Sequence, residues 1–357
     1  MTAAPMPEPT PGPITAAPPV SPGRQVWLRF RRGRRGYWSL VLFLLLFALS
    51  LAAELLSNDK PLVARYQGEL VFPVFHTYSE KAFGGDFDSP ADYLDPFIQD
   101  QFKRDGNWAL YPPNRYSYNT LNYFATEPNP APPSAENWLG TDDRGRDVTA
   151  RLLYGFRISI LFGLALTVTG VVLGILAGAV QGYFAGRTDL FLQRVIEIWG
   201  SMPELYLLII FASIFEPSLL LLLVLLSLFG WMGLSDYVRA DFLRNRNLEY
   251  VQAARALGLS NRQIIWRHVL PNSLTSVVTF LPFRMSGAIL ALTSLDFLGL
   301  GVPPSTPSLG ELLAQGKNNL DAWWIALSTF VVLTVTLLLL TNIGDGLRNA
   351  LDVRRRA

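Results

Sequence analysis

Cysteine is absent from this 357-residue sequence, and histidine occurs only at His76 and His268. Without cysteine the chain can form no disulfide, thiolate nucleophile or cysteine-ligated metal centre. The topology argued below places the two histidines on opposite sides of a membrane, so we expect no shared metal or acid–base site. The hydrolase motif G-x-S-x-G and the zinc motif H-E-x-x-H are also missing. We therefore predict a non-catalytic chain that binds no metal and no cofactor.

A large charge of one sign is also lacking, because the formal net charge is only +2. Nothing in the overall charge points to a nucleic-acid partner. Half of the residues are hydrophobic, and they gather in long blocks with almost no charge. A bilayer core requires roughly 20 apolar residues in a helix, and lipid cannot satisfy open backbone groups. We predict an all-α membrane protein with six transmembrane helices, at about 38–56, 158–181, 197–215, 218–236, 272–298 and 323–343.

Arginine positions give the orientation of these spans. Six arginines lie in 24–35, two in 182–198, six in 237–270 and four after residue 347. The short loops on the opposite side carry one basic residue, Lys317. Since cytoplasmic loops are enriched in Lys and Arg, we predict that both termini are cytoplasmic.

The long segment between the first two spans then lies outside, and it is too long for a simple connector. Either it folds as a small extracytoplasmic cap, or it packs over the helices and touches a soluble partner. Its aromatic residues favour an ordered cap: Trp108, Tyr111, Tyr116, Tyr118, Tyr123 and Phe124.

The chain therefore divides into five predicted parts. The first is a disordered, proline-rich tail, and the fourth is the main transmembrane part. In order, the parts are the tail at 1–23, a basic lead-in with the first span at 24–57, the extracytoplasmic loop or cap at 58–150, a core with five spans at 151–347, and a basic cytoplasmic tail at 348–357.

The basic loop 237–271 between the fourth and fifth spans has the pattern of a docking element. Ala253, Ala254 and their neighbours favour a helix, and Gly258 follows where a left-handed residue would end it. A second helix should start near Asn261 and enter the membrane at Pro271. Small side chains would let another protein approach the backbone closely. The alternative is an amphipathic helix lying on anionic lipid.

This loop resembles the EAA loop of ABC-importer permeases, with Gln252 where that motif usually has Glu. The residues that carry the resemblance are Gln252, Ala253, Ala254, Gly258, Leu270 and Pro271. Further stretches are similar to dipeptide and oligopeptide permeases of the "C" type. They are Trp138–Asp142, Gly145–Val148, Leu152–Gly155, Arg157–Ser159, Phe297–Val302, Pro307–Gly310, Asp345–Arg348 and Ala350–Asp352.

The resemblance implies a type I ABC-importer permease (MetI-like) fold in the bacterial inner membrane. It implies a second homologous permease, ABC ATPase subunits or one fused double ATPase carrying ATP and Mg, a periplasmic peptide-binding protein and a peptide substrate. The EAA loop would seat in the ATPase, with Glu249 as a substitute for the missing motif Glu. The basic lead-in and the tyrosine-rich outer loop resemble a subgroup that also admits the peptide–nucleotide microcin C.

Charged residues within spans are costly and often functional. Arg284 lies near the middle of the fifth span, where it could attract a peptide carboxylate in the transport pathway or pair with a carboxylate of the partner permease. Glu197 and Glu204 are predicted near the inner boundary, where their side chains can reach water. The alternative function is an ion-coupled secondary transporter, but such proteins usually have more spans, inverted repeats and buried acids at the midplane.

Overall fold

The computed structural model describes residues 21–104, 106–121 and 128–352. Most of the predicted N-terminal tail, the aromatics Tyr123 and Phe124, and the last five residues lie outside these ranges. The first half of the described chain contains α1 (Pro22–Arg32), α2 (Arg34–Leu51), α3 (Ala53–Leu56), β1 (Val63–Tyr66), β2 (Glu69–Val71), a 3-10 turn (Glu80–Phe83), α4 (Pro96–Lys103), β3 (Trp108–Leu110) and α5 (Val148–Phe184).

The second half is entirely helical. It contains α6 (Gly186–Gly200), α7 (Glu204–Ile214), α8 (Leu219–Gly230), α9 (Met232–Asn245), α10 (Glu249–Ala256), α11 (Asn261–Ile264), a π-helical turn (Ile265–Val269), α12 (Leu270–Phe297), α13 (Leu309–Asn318) and α14 (Trp323–Leu351).

Within the described chain, five helical stretches are long and apolar enough to cross a membrane. They are α2, α5, α8 with α9, α11 with α12, and α14. The pair α6 and α7 would make a sixth, but it bends by 64° between Gly200 and Glu204. The predicted third span at 197–215 is therefore not a straight helix. Pro203 has no N–H to donate and its ring obstructs the preceding turn, so one helix stops before it and another begins after it.

Several predicted boundaries also shift. The fourth span does not end at 236, because α9 continues to Asn245 and takes up the first part of the predicted loop 237–271. α5 begins at Val148, just before the predicted core boundary at 151, since the Asp147 carboxylate accepts a bond from Ala150 N at 2.7 Å and caps this helix. At the other end, α14 runs to Leu351 and includes the start of the predicted tail 348–357.

Glycines bring α5 and α9 into close contact. Gly174, Gly178 and Gly182 recur every fourth residue and therefore lie on one face of α5. A Cβ added at Gly178 would lie 2.5 Å from Ser235 O and 2.8 Å from the Val238 Cβ. Small residues at this spacing allow helix backbones to approach closely in a membrane. The two helices therefore pack backbone against backbone over three turns.

The segment between α3 and α5, which we call the cap segment (residues 57–147), folds around a core of its own. Three short antiparallel strands form a sheet in the order β2-β1-β3. Phe83 is 1% exposed, and its ring meets those of Tyr66, Tyr93 and Phe102. The segment is therefore ordered, and its small sheet is a feature that the all-α prediction did not contain.

Candidate functional site: an exposed elbow and a cavity in the bundle

The loop predicted to dock a partner forms a compact elbow (residues 246–264). α10 ends as expected ahead of Gly258, which has a φ of +79°. Its N–H donates to Arg255 O at 2.9 Å, and Leu259 N donates to Ala254 O at 3.2 Å. Ser260 and Gln263 then form a capping box that starts α11.

One face of the elbow is anchored in the bundle. Val251 is fully buried and Ala254 is 5% exposed. Both belong to an apolar cluster with residues of α5, α9 and α12, among them Phe242 and Val277. This packing attaches α10 to three helices that enter the membrane-spanning part.

Tyr183, near the end of α5, adds polar contacts to this attachment. Its hydroxyl donates to Asn261 Oδ1 at 2.8 Å. The Arg255 guanidinium lies 5.3 Å from the centre of its ring, within the range of a cation–π contact. The Arg246 guanidinium donates to the backbone oxygen of Tyr183 at 3.1 Å. Tyr183 therefore links both ends of the elbow to α5.

The opposite face of the elbow is open. Gln252, Ala253 and Gly258 are exposed, and Leu257 is 80% exposed. Glu249 is also exposed, at the first position of α10. The outward surface thus combines small residues with one protruding leucine.

The residues quoted for the EAA resemblance do not all lie on this surface. Ala254 and Leu270 face the interior, while Pro271 is exposed at the start of α12. The Gln252 side chain donates to Asn247 O at 3.0 Å, so its amide stabilises the elbow itself.

Arg284 lies in the wall of a cavity of about 540 Å³ between the helices. Its guanidinium donates to Gly230 O, and its Nε has no hydrogen-bond partner in the described chain. Glu204, the first residue of α7, lines the same cavity. The sequence predicted Glu204 near the inner boundary of a span. Its place in the same cavity wall as Arg284 was not predicted, because it depends on the bend after Gly200.

At the N-terminal end of α5, two of the permease-like motifs contribute Asp142 and Arg146 to a buried ion network. Arg151 is fully buried and Arg146 is 4% exposed. Arg146 bonds Asp142 at 2.6 Å and Glu311 at 3.2 Å, and Arg151 also pairs with Glu311. Burial raises the pKa of the Asp147 carboxyl, and four hydrogen bonds that its oxygens accept offset part of this rise. The network joins the cap segment, α5 and α13.

Two family models match the chain. The binding-protein-dependent transport system inner membrane component matches residues 170–357, which is more than half of the sequence. The N-terminal transmembrane domain of oligopeptide transport permease C matches residues 21–68. The chain belongs to the binding-protein-dependent inner membrane permeases, the membrane subunits of ABC importers. The predicted permease fold and multi-pass inner membrane location are thereby confirmed, and the ion-coupled alternative is not supported.

Individual relatives narrow the class. The chain is 52% identical over 334 residues to the inner membrane ABC transporter permease protein YejE of Escherichia coli (strain K12), covering 94% of this chain and 97% of that one. It is 51% identical over 353 residues to the peptidoglycan transport system permease protein YejE of Agrobacterium fabrum, with 92% of each chain covered. The oligopeptide transport system permease protein OppC of Bacillus subtilis is 32% identical over 70% of this chain and 81% of its own length. The predicted resemblance to "C"-type peptide permeases is confirmed.

A solved structure of the MetNI methionine ABC transporter in an inward-facing conformation also aligns with the chain. The TM-score is 0.47 and the sequence identity 18%, over 56% of this chain and 96% of that chain.

Proposed function

We propose that this chain and a second, homologous permease together form the membrane path of an ATP-driven importer of peptides. The support is the peptide chemistry in the names of its relatives, which include permeases for peptidoglycan, oligopeptide and dipeptide transport. The proposed substrate class includes peptides that carry a nucleotide, as microcin C does.

In this proposal the chain itself catalyses nothing and binds no cofactor. ATPase subunits, separate or fused into one chain, hold ATP and Mg and bind against the elbow. A periplasmic peptide-binding protein docks on the cap segment, and membrane lipid surrounds the apolar helices.

The elbow lies on the cytoplasmic side in this proposal, together with both termini. The arginine distribution supports this orientation. The packing agrees with both termini lying on one side, because a Cβ at Gly36 near the start of α2 would lie 2.9 Å from Gly346 near the end of α14. The two ends of the described chain therefore lie at the same end of the bundle.

The observation that carries the coupling role is the division of α10 into two faces. Val251 and Ala254 fasten it to α5, α9 and α12, while Ala253 and Leu257 are free to enter a partner's groove. A partner that moves the exposed face must displace the attached helices. Closure of the ATPases around ATP then favours the arrangement of the bundle that fits the closed ATPases best, which is a shift between two states.

Deleting Ala253–Gly258 tests this coupling role. We expect the deletion to abolish peptide uptake and ATPase association, with membrane insertion intact. Ala253→Arg should have the same effect because its long charged side chain obstructs the exposed face. Ala82→Arg, at an exposed position in the cap segment and outside the candidate spans, is the matched control for ATPase association. Uptake assays and co-purification from mild detergent provide the readouts; normal uptake by the deletion variant would contradict the proposal.

Arg284 is the residue of this chain that we assign to the peptide pathway. Its side chain reaches the cavity between the helices and forms no ion pair within the described residues. An unpaired cation inside a membrane bundle is unfavourable unless it has a functional partner.

A further inference from the structure

The cavity at Arg284 presents two opposite charges that do not pair with each other. We infer that it binds both charged ends of a short peptide, with Arg284 taking the C-terminal carboxylate and Glu204 the N-terminal ammonium group. The inference rests on the proposed peptide function and assigns the groups of the substrate that this chain recognises.

The guanidinium of Arg284 is only partly satisfied by hydrogen bonds within the described chain. A guanidinium has five N–H donors, yet the described contacts of Arg284 comprise one bond to a backbone oxygen, that of Gly230. Its Nε is buried and has no acceptor in the described chain. A carboxylate accepts two parallel N–H bonds from a guanidinium. Among the groups of a peptide, the C-terminal carboxylate is therefore the one that best satisfies Arg284.

Glu204 is the acidic residue in the lining of the same cavity. Its carboxylate is half-buried, and within the described chain it accepts no hydrogen bond and forms no ion pair. Opposite charges attract strongly in a low-dielectric interior, so two such groups would be expected to pair if their helices allowed it. Glu204 and Arg284 line one cavity and remain unpaired. A ligand that carries both charges can satisfy both residues at once.

The size and lining of the cavity suit a short peptide. Its volume of about 540 Å³ falls within the ordinary range for small-molecule sites. Five of its thirteen lining residues are small (Gly200, Gly230, Gly287, Ala288 and Ala291), and most of the others are larger and apolar, such as Met202 and Phe229. A Cβ added at Gly287 would meet no atom within 4 Å, so this part of the wall leaves room. Among the described residues of this lining, Arg284 and Glu204 are the only charged ones, so the charged termini are the groups of a peptide that the cavity can pair with.

The bend between α6 and α7 accounts for the position of Glu204. The two helices are separated only by Ser201, Met202 and Pro203, and Glu204 follows the proline directly. A straight helix through this region would continue past the cavity. The interruption instead places the first turn of α7, with Glu204, in the cavity wall beside Gly200 and Met202.

The test uses the complete importer reconstituted in proteoliposomes with its partner subunits. Uptake is measured for radiolabelled trialanine, its C-terminal amide and its N-acetyl derivative, each at a concentration that gives equal uptake by the wild type. Arg284→Gln should reduce uptake of trialanine and of the N-acetyl form about tenfold or more, since both keep the carboxylate. Uptake of the amide should change less than about twofold, because it has no carboxylate to lose a contact.

Glu204→Gln should show the complementary pattern. It should reduce uptake of trialanine and of the amide, which keep the ammonium group, and spare the N-acetyl form. Arg284→Lys keeps the charge and should recover part of the uptake. Arg194→Gln and Glu197→Gln remove an exposed ion pair on α6 and serve as matched controls.

An equal loss for all three peptides in Arg284→Gln would overturn the inference and assign Arg284 to packing or to a carboxylate of the second permease. No loss for any peptide would overturn it as well. Size-exclusion profiles of each purified complex separate these results from misassembly, and Arg284→Lys provides the second variant if Arg284→Gln fails to assemble. A wild-type importer that takes up none of the three peptides would overturn the proposed peptide function, and with it this inference.

Discussion

Glycine has a specific structural role at a few positions of this chain, and the face of α5 that meets α9 shows why. At Gly174, Gly178 and Gly182 the partner atoms include a backbone oxygen of α9 or of Trp231 directly before it, which cannot rotate away as a flexible side chain can. A methyl group at these positions must push one helix from the other. At Gly233, on α9, an added Cβ would meet nothing within 4 Å. Two glycines in contacting helices therefore have different tolerance for the same substitution.

We expect Gly178→Ala to lower the free energy of unfolding by about 1–3 kcal/mol, because the new methyl overpacks the α5–α9 contact. Gly233→Ala, the matched control, should be neutral or stabilise its helix by up to about 1 kcal/mol. Thermal unfolding of the two purified variants in the same detergent provides the measurement. Equal melting temperatures would show that the helices separate at no cost.

Separate elements of the chain meet in the buried ion network. Asp142 belongs to the cap segment and Arg151 to α5, whereas Glu311 belongs to α13 and lies 160 residues after Arg151 in the sequence. Arg151 and Asp142 are fully buried, so their charges depend on one another and on Glu311 for compensation. Removing one member of such a set leaves a charge buried without its partner.

We expect Glu311→Gln to destabilise the protein by about 3 kcal/mol, since Arg146 and Arg151 would share one remaining carboxylate. Asp88→Asn breaks the exposed pair of Lys81 and Asp88 and should cost less than about 1 kcal/mol. Melting temperatures measured at one ionic strength allow the comparison. If both variants lost the same stability, the buried network would hold no special place in the fold.

The elements differed in how far the sequence predicted them. Spans were predictable because roughly 20 consecutive apolar residues have no other stable form in lipid. Gly258 was predicted as the end of a helix because its left-handed conformation suits glycine. The bend at Pro203 was missed because the apolar run continues on both sides of it. The three strands were missed because segments of three or four residues carry too little alternation to be recognised.

The candidate site was predictable only in part. Elbow residues could be found from small side chains and a terminating glycine. Which of them face inward depends on tertiary packing, so Ala253 and Ala254 could not be told apart. Glu204 could not be paired with Arg284, because their proximity depends on the angle between α6 and α7. The glycine spacing on α5, by contrast, is legible in the sequence and was an available signal.

At the scale of the whole molecule, the described chain has apolar cores of two kinds. One is the bundle of long helices. The other lies in the cap segment, where Phe83, Ile98 and Phe102 are buried together with Ala64 and Tyr93. A separate apolar core allows a part of a protein to open locally without disturbing the remainder.

Phe83→Ala should therefore destabilise the cap segment alone, by about 3–5 kcal/mol for a fully buried phenylalanine. Hydrogen exchange should rise across residues 63–110 and remain unchanged in α5 and α14. Phe75→Ala, at a residue 74% exposed in the same segment, is the matched control. Faster exchange in the long helices as well would mean that the two cores unfold as one.

α5 is one uninterrupted helix of 37 residues, which corresponds to a length of roughly 55 Å. Arg151 holds its first turn in the ion network, and Tyr183 holds its last turn against the elbow. Because these contacts hold α5 at both ends, a change in its tilt at one end displaces the residues at its other end. We therefore expect a displacement of the elbow to be carried along α5 to the ion network at its other end, with no loop or hinge between them.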